Sequence, residues 1–137
     1  MTITKNSGRQ EVIAATADFT FADVASGVYA PAIDLPGGAI VVGGHLAITT
    51  IFNSATDDKF SIGDKVGAAS AAAATYAAQS ADITAAGAVP IVPTGKKYAE
   101  PSTIGIVWTG TGAAPTAGTG RLTVKYIVDG RAAFTQG

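Results

Sequence analysis

The sequence predicts an all-β fold, a jelly roll or antiparallel β-sandwich of about eight short strands. Three observations lead there. Apolar residues alternate with polar ones at a period of two in run after run, as strands with one buried face require. Glycine and proline, 17 and 6 residues respectively, punctuate those runs at intervals of roughly 8–15 residues. No stretch carries a helical stripe of large apolar side chains. At 137 residues the chain is one domain in size. The expected division is a flexible arm over residues 1–10 and a single jelly-roll domain over 11–137.

Taken in order, Val12 to Ala15 and Phe19 to Phe21 are the first short strand candidates. Tyr29 to Leu35 follows and stops at Leu35-Pro36-Gly37-Gly38, where a fixed φ meets residues free to take positive φ. His45, after Gly43-Gly44, is expected to open the next strand on its polar face, with Leu46, Ile48 and Thr50 alternating and Ile51 and Phe52 closing the run. Asn53 to Asp58 reads as a turn and Lys59 to Ile62 as a strand. Ala68 to Ala81 is dense in alanine and favours helix by intrinsic propensity, yet lacks a face of large residues. It is read as a loop leading into a strand around Thr75 to Ala78. Ala88 to Val92 is the next candidate, ended by Pro93-Thr94-Gly95. Ile104, Ile106 and Trp108 then alternate with Thr103, Gly105 and Val107, before a loop from Gly110 to Gly120. Leu122, Val124, Tyr126 and Val128 alternate with Arg121, Thr123, Lys125 and Asp129, and Asp129-Gly130 turns the chain. The expected core is Leu46, Ile48, Phe52, Ile104, Ile106, Trp108, Leu122, Val124, Tyr126 and Val128.

Composition removes several functions. The net charge is −1, with 9 basic and 10 acidic residues, so no cationic field exists to hold nucleic acid or anionic lipid. Absence of cysteine excludes disulfides, thiolate metal sites and thiol nucleophiles. Residues 1–10 lack the apolar segment of a signal peptide, and the apolar run Ala39 to Leu46 is too short to cross a bilayer. Charged residues are only 14% of the chain, against about 25% in ordinary domains. The outside must therefore be mostly Thr, Ser, Gly and Ala, which suits a protein covered by copies of itself or by a larger assembly.

Catalysis is not supported. His45 is the single histidine, no G-x-S-x-G elbow occurs, and no cofactor or metal is expected. Asp57, Asp58 and Asp64 cluster near a turn without EF-hand spacing, and such residues ordinarily cap backbone N–H groups. Glu100 has no signal marking a carboxylate partner. Gly95-Lys96-Lys97 lacks the P-loop pattern, and Lys96-Lys97-Tyr98 reads as a solvated turn. Trp108 and Tyr126 lie on the aliphatic sides of their runs and read as core.

Three segments, read together, resemble a known family. They are Ala32 to Asp58, with Leu35-Pro36-Gly37-Gly38 and Gly43-Gly44; Val92-Pro93-Thr94-Gly95-Lys96-Lys97-Tyr98 with Ile104 to Trp108; and Ala114-Pro115-Thr116-Ala117-Gly118 running into Leu122 to Val128 and Asp129-Gly130-Arg131-Ala132. Their order is similar to that in the small capsid decoration, or cement, proteins of tailed bacteriophages. The resemblance implies a non-enzymatic jelly roll outside an icosahedral shell, pairing as a homo-oligomer, expected to be a dimer, and bridging capsomers of a separate major capsid protein. It implies the virion surface as location, and the host cytoplasm before and during assembly. The polar arm, through Thr2, Ile3, Thr4, Lys5 and Arg9, is expected to contact the capsid. The alternative is a carbohydrate- or receptor-binding jelly-roll module of a phage fibre, which would expose an aromatic platform.

Overall fold

The computed structural model describes residues 11–129. Eight strands form in chain order: β1 Ile13–Thr20, β2 Tyr29–Leu35, β3 Ala39–Thr50, β4 Asp57–Val66, β5 Ala72–Ala77, β6 Gly87–Pro90, β7 Ser102–Thr111 and β8 Thr119–Val128. A 3-10 turn, Phe21–Asp23, follows β1. The strands build two four-stranded sheets, ordered β1-β8-β3-β6 and β2-β7-β4-β5, with every pairing antiparallel. Successive strands pass from one sheet to the other, save where β4 runs into β5 within a sheet; this winding makes a jelly roll. The connections β1–β2, β3–β4, β5–β6 and β7–β8 gather at one end.

The core lies between the sheets and follows the period of two. Leu122, Val124 and Tyr126 of β8 face Ile104, Ile106 and Trp108 of β7 across the layer, all buried. Val128, at the end of β8, is only partly covered. Phe19, Phe52, Phe60 and Trp108 form an aromatic cluster near the β3–β4 connection, with Phe52 and Phe60 edge-to-face at 5.1 Å.

Three sequence expectations change. The two candidates Val12 to Ala15 and Phe19 to Phe21 merge into the one strand Ile13–Thr20, with Val12 before it and Phe21 in the 3-10 turn, because Ala17 fills the inner position between Ala15 and Phe19 and preserves the alternation. The third strand does not open at His45 but at Ala39, with His45 exposed in its middle, opposite Pro90 and Thr123. Gly43-Gly44 is no break but continues the ladder opposite Lys125 and Val124, after a β-bulge at Val42 where the register slips between Val41 and Gly43. The slip switches the buried parity from Ala39 and Val41 to Leu46 and Ile48. Gly44 sits at φ 131°, where a Cβ would lie 2.1 Å from the Thr123 carbonyl oxygen. The third change is β5, which starts at Ala72 and ends at Ala77, earlier than the Thr75 to Ala78 expected. Tyr76 alone in it is buried; that anchor overrides the alanines' helical preference.

Strand β5 crosses β4 where β4 has no side chain. Built on Gly63, a Cβ would stand 1.9 Å from the Ala72 carbonyl oxygen, a main-chain atom that cannot rotate away. Gly63→Ala is therefore expected to lift Ala72–Ala74 from β4 and cost at least the ~1–3 kcal/mol typical of overpacking. Urea unfolding, with hydrogen exchange localising the loss to β5, checks this.

Candidate functional site

The two buried carboxylates are tied into the structure rather than presented to solvent. Asp64, from β4, is 2% exposed. Its Oδ1 accepts from Thr75 Oγ1 at 2.5 Å, and its Oδ2 accepts from Tyr98 Oη at 2.6 Å and Lys96 Nζ at 3.0 Å. Since Tyr98 spends its proton on Asp64, the 2.5 Å contact with Tyr76 must have Tyr76 Oη as donor and Tyr98 Oη as acceptor. The chain of donation runs Tyr76 to Tyr98 to Asp64. Burial alone would push the Asp64 carboxyl upward, but the three donors and the Lys96 charge reverse it and hold the pKa below the usual carboxylate value. The Tyr98 phenol is driven far above its ordinary range by burial, by donating to Asp64 and by Tyr76.

Asp58, 3% exposed, accepts from Trp108 Nε1 at 2.9 Å and from the Ser54 N–H at 3.0 Å. Its own N–H donates to Asp82 Oδ1 at 2.7 Å, and its carbonyl accepts from Ile83 N–H at 2.9 Å. One residue thus fixes the β3–β4 and β5–β6 connections to the core tryptophan. Asp57 lies half-buried, 3.7 Å from Lys59 Nζ. Asp57, Asp58 and Asp64 do not converge, and no group of three metal-ligating side chains exists among the described residues.

The Lys96-Lys97-Tyr98 segment corrects the reading as a solvated turn. Tyr98 is 1% exposed, with Lys96 Nζ 5.0 Å from its ring centroid, and Lys97 Nζ pairs with Asp129 at 2.6 Å. Tyr98 is fastened by backbone bonds to Gly38 and Ala39, so its ring closes the end of the sandwich. Nothing in the local sequence marks it, because its partners lie 34 and 22 residues away. Glu100 is exposed.

At the loop end a cavity of about 440 Å³ opens between Phe21, Trp108, Gly110 and Pro115, with Ser26 and Ser54 as its hydroxyl groups. No titratable side chain lines it, so it offers no acid–base pair. Every Phe, Tyr and Trp ring among the described residues is buried or half-buried. On the outer face of β1-β8-β3 stand the exposed Ala14, Thr16, His45 and Thr49 and the half-buried Thr123, with Asp18 and Arg121 paired at 2.6 Å, and Val12, Val28, Val42, Ile51 and Val92 are exposed large apolar residues. The expected capsid contacts Thr2, Ile3, Thr4, Lys5 and Arg9, and the whole 1–10 arm, lie outside the described residues. No helix among the described residues is long and apolar enough to cross a membrane.

No protein-family model matches the sequence, and no curated protein matches it. Solved structures do. A chain of the cyanophage Pam1 capsid asymmetric unit aligns over 93% of this chain and 91% of its own, with a TM-score of 0.65 at 22% identity. The fold is that of phage-capsid chains. A chain of the Ralstonia phage GP4 capsid aligns over 96% of this chain and 92% of its own, with a TM-score of 0.66 at 19% identity. A third, from the acidic stable capsid of Helicobacter pylori bacteriophage KHP30, covers 86% and 92%, with a TM-score of 0.58 at 14% identity. At such identities the likeness establishes shared architecture, not shared contacts.

Proposed function

We propose that this protein is a structural, non-enzymatic component of a phage virion that binds the outside of an assembled icosahedral capsid and clamps neighbouring capsomers of the major capsid protein. The observation that carries the reading is a fold shared, at nearly full length on both sides, with chains of three phage capsids. Two features of the molecule support it. Its buried acids are consumed in holding loops and strands, leaving no reactive pair in the loop-end cavity. Its surface is weakly charged and rich in small residues, which favours coverage by other protein. The rival reading, a glycan-binding fibre module, calls for an exposed aromatic platform, and every described Phe, Tyr and Trp ring is buried or half-buried.

A clamp that binds only the assembled shell stabilises that state by mass action. Each contact can be weak, because a homo-oligomer touching two capsomers makes its second attachment intramolecular. Residues 1–10, through Thr2, Ile3, Thr4, Lys5 and Arg9, supply part of the contact in this reading. The protein acts at the virion surface and resides in the host cytoplasm before and during assembly.

Co-sedimentation with undecorated shells tests it. The expected result is binding to shells and not to free capsid subunits; equal binding to both removes the clamp. Deleting residues 1–8 should leave a folded protein with at least ~10-fold weaker shell binding, the scale of one lost attachment point. Unchanged occupancy takes the arm out of the account.

A further inference from the structure

A jelly roll has four edge strands, and here three of them are protected. Strand β6 is four residues long and ends in Pro90. Strand β2 contains Pro31, with a register slip between Pro31 and Ile33. Strand β5 has its outer side occupied at Tyr76, whose carbonyl accepts from Val92 N–H at 2.8 Å. Short length, proline, bulges and coverage are the usual devices that blunt an edge. Among the described residues, strand β1 has none of them. It runs for eight residues in unbroken register with β8, without proline or glycine, and its single charge, Asp18, is already paired with Arg121.

The polarity of that edge follows from one hydrogen bond. Phe21 N–H donates to the Gly118 carbonyl at 2.9 Å, continuing the register in which Thr20 faces Thr119. Hydrogen-bonded pairs alternate along an antiparallel ladder, so the odd residues of β1 exchange bonds with β8. The even residues turn their N–H and C=O groups outward. Thr20 agrees: its N–H points away from β8 and is capped by Asp23 Oδ2 at 2.8 Å. Ala14, Thr16 and Asp18 are left with open backbone groups, with no bond to another element among the described residues.

We infer that β1 is the seam between two copies of this chain, pairing antiparallel about a two-fold axis at Thr16. This deepens the homo-oligomer part of the proposed function and rests on it. Within β1, only the register that sets Thr16 against Thr16 pairs all three open residues, with Ala14 against Asp18 on either side. Sliding the copies until Asp18 meets Asp18 opposes two carboxylates. In the Thr16 register Asp18 stands instead between its own Arg121 and, across the small Ala14 of the second copy, that copy's Lys125, which neighbours Ala14 on β8. On the inner side, Ile13 of the second copy comes opposite Phe19, at the mouth of a groove of about 300 Å³ whose apolar wall is Ala17, Phe19, Val24, Ala30 and Ile106 and whose rim carries Asp18 and Asp23. A half-buried isoleucine and the apolar wall of that groove are covered together, with the two carboxylates left at the rim. The two β1-β8-β3-β6 sheets become one continuous sheet.

Solution mass and a cysteine probe test this. The wild-type protein should have twice the chain mass, and Thr16→Pro should halve it with unchanged far-UV circular dichroism, because the lost N–H is not one that β8 uses. A Thr16→Pro protein that stays dimeric overturns the seam. The chain has no cysteine, so Thr16→Cys places one thiol in each copy, at a Cα separation of about 5.5 Å in this register. Oxidation should convert most of Thr16→Cys, and none of Thr49→Cys, into a covalent dimer. A dimer whose Thr16→Cys form does not link uses another surface, and the inference fails. A wild-type protein that is monomeric yet co-sediments with shells sinks the seam and leaves decoration standing. A Thr16-linked dimer that ignores shells does the reverse.

Discussion

Asp64→Ala is expected to destabilise the protein by about 3–5 kcal/mol, the usual consequence of removing one partner from a buried charged network. The melting temperature should fall by more than ~10 °C. The size comes from what is stranded. Tyr98 Oη and Thr75 Oγ1 lose their acceptor, Lys96 loses its counter-charge, and Tyr76 donates to a phenol with nowhere to send its own proton. Asp64→Asn keeps the volume but turns an amide N–H₂ against Thr75, or against Tyr98 and Lys96, so it should also destabilise, by less. The pH profile separates this from lost packing. Because the folded pKa of Asp64 is depressed, its contribution is present above the unfolded value of about 4 and disappears as pH falls through the folded value. Asp64→Asn should flatten that acid-side decline. For Tyr98 the sign is opposite: its folded pKa is raised, so its contribution is complete below the unfolded value of about 10 and fades as pH rises beyond it. Denaturant midpoints across acidic and alkaline pH check both limbs; an acid limb identical in wild type and Asp64→Asn would show that the carboxylate charge is not what matters.

The strands were readable wherever one face is buried and the other wet, because burial then writes itself as alternation. Strand β8 shows this best, with Leu122, Val124 and Tyr126 against Arg121, Thr123 and Lys125. Legibility failed where the backbone shifts phase. The bulge at Val42 moves the apolar set from odd to even positions, so β3 looks like two fragments separated by a glycine break. It failed again where one distant contact anchors a segment, as Tyr76 does for β5. The turns were legible for a local reason: Gly38 at φ 88° and Gly95 at φ 77° occupy conformations that glycine supplies without strain.

The polar network was invisible for a different reason. Asp64, Thr75, Tyr76, Lys96 and Tyr98 come from β4, β5 and a loop, and no spacing rule joins them. A sequence reading can note that Tyr98 is aromatic and that Asp64 is acidic; only the winding of the jelly roll brings the two to 2.6 Å. The same holds for the open edge of β1. Its outward groups follow from the parity of its ladder with β8, a relation between segments at opposite ends of the described chain.

Phe60→Ala is the second large effect, expected to cost about 3–5 kcal/mol and lower the melting temperature by more than ~10 °C. Phe60 is fully buried, packs edge-to-face on Phe52 at 5.1 Å and lies 6.5 Å from Phe19, so its removal opens a cavity between both sheets. The surrounding rings cannot collapse into it cheaply, because Phe52 is held against Trp108, and Trp108 is fixed by its bond to Asp58. Phe60→Leu restores most of the volume and should recover more than half of the loss, leaving a deficit near the ~0.5–1.5 kcal/mol of the missing aromatic contact. Urea midpoints of the two variants give the comparison; equal losses would mean that ring geometry, not cavity volume, sets the cost. Phe60 touches no exposed surface. At temperatures where Phe60→Ala is still folded, its binding to shells should therefore equal that of the wild type, whereas a change in binding at full folding would mean that the loop end held by this cluster is part of the capsid contact.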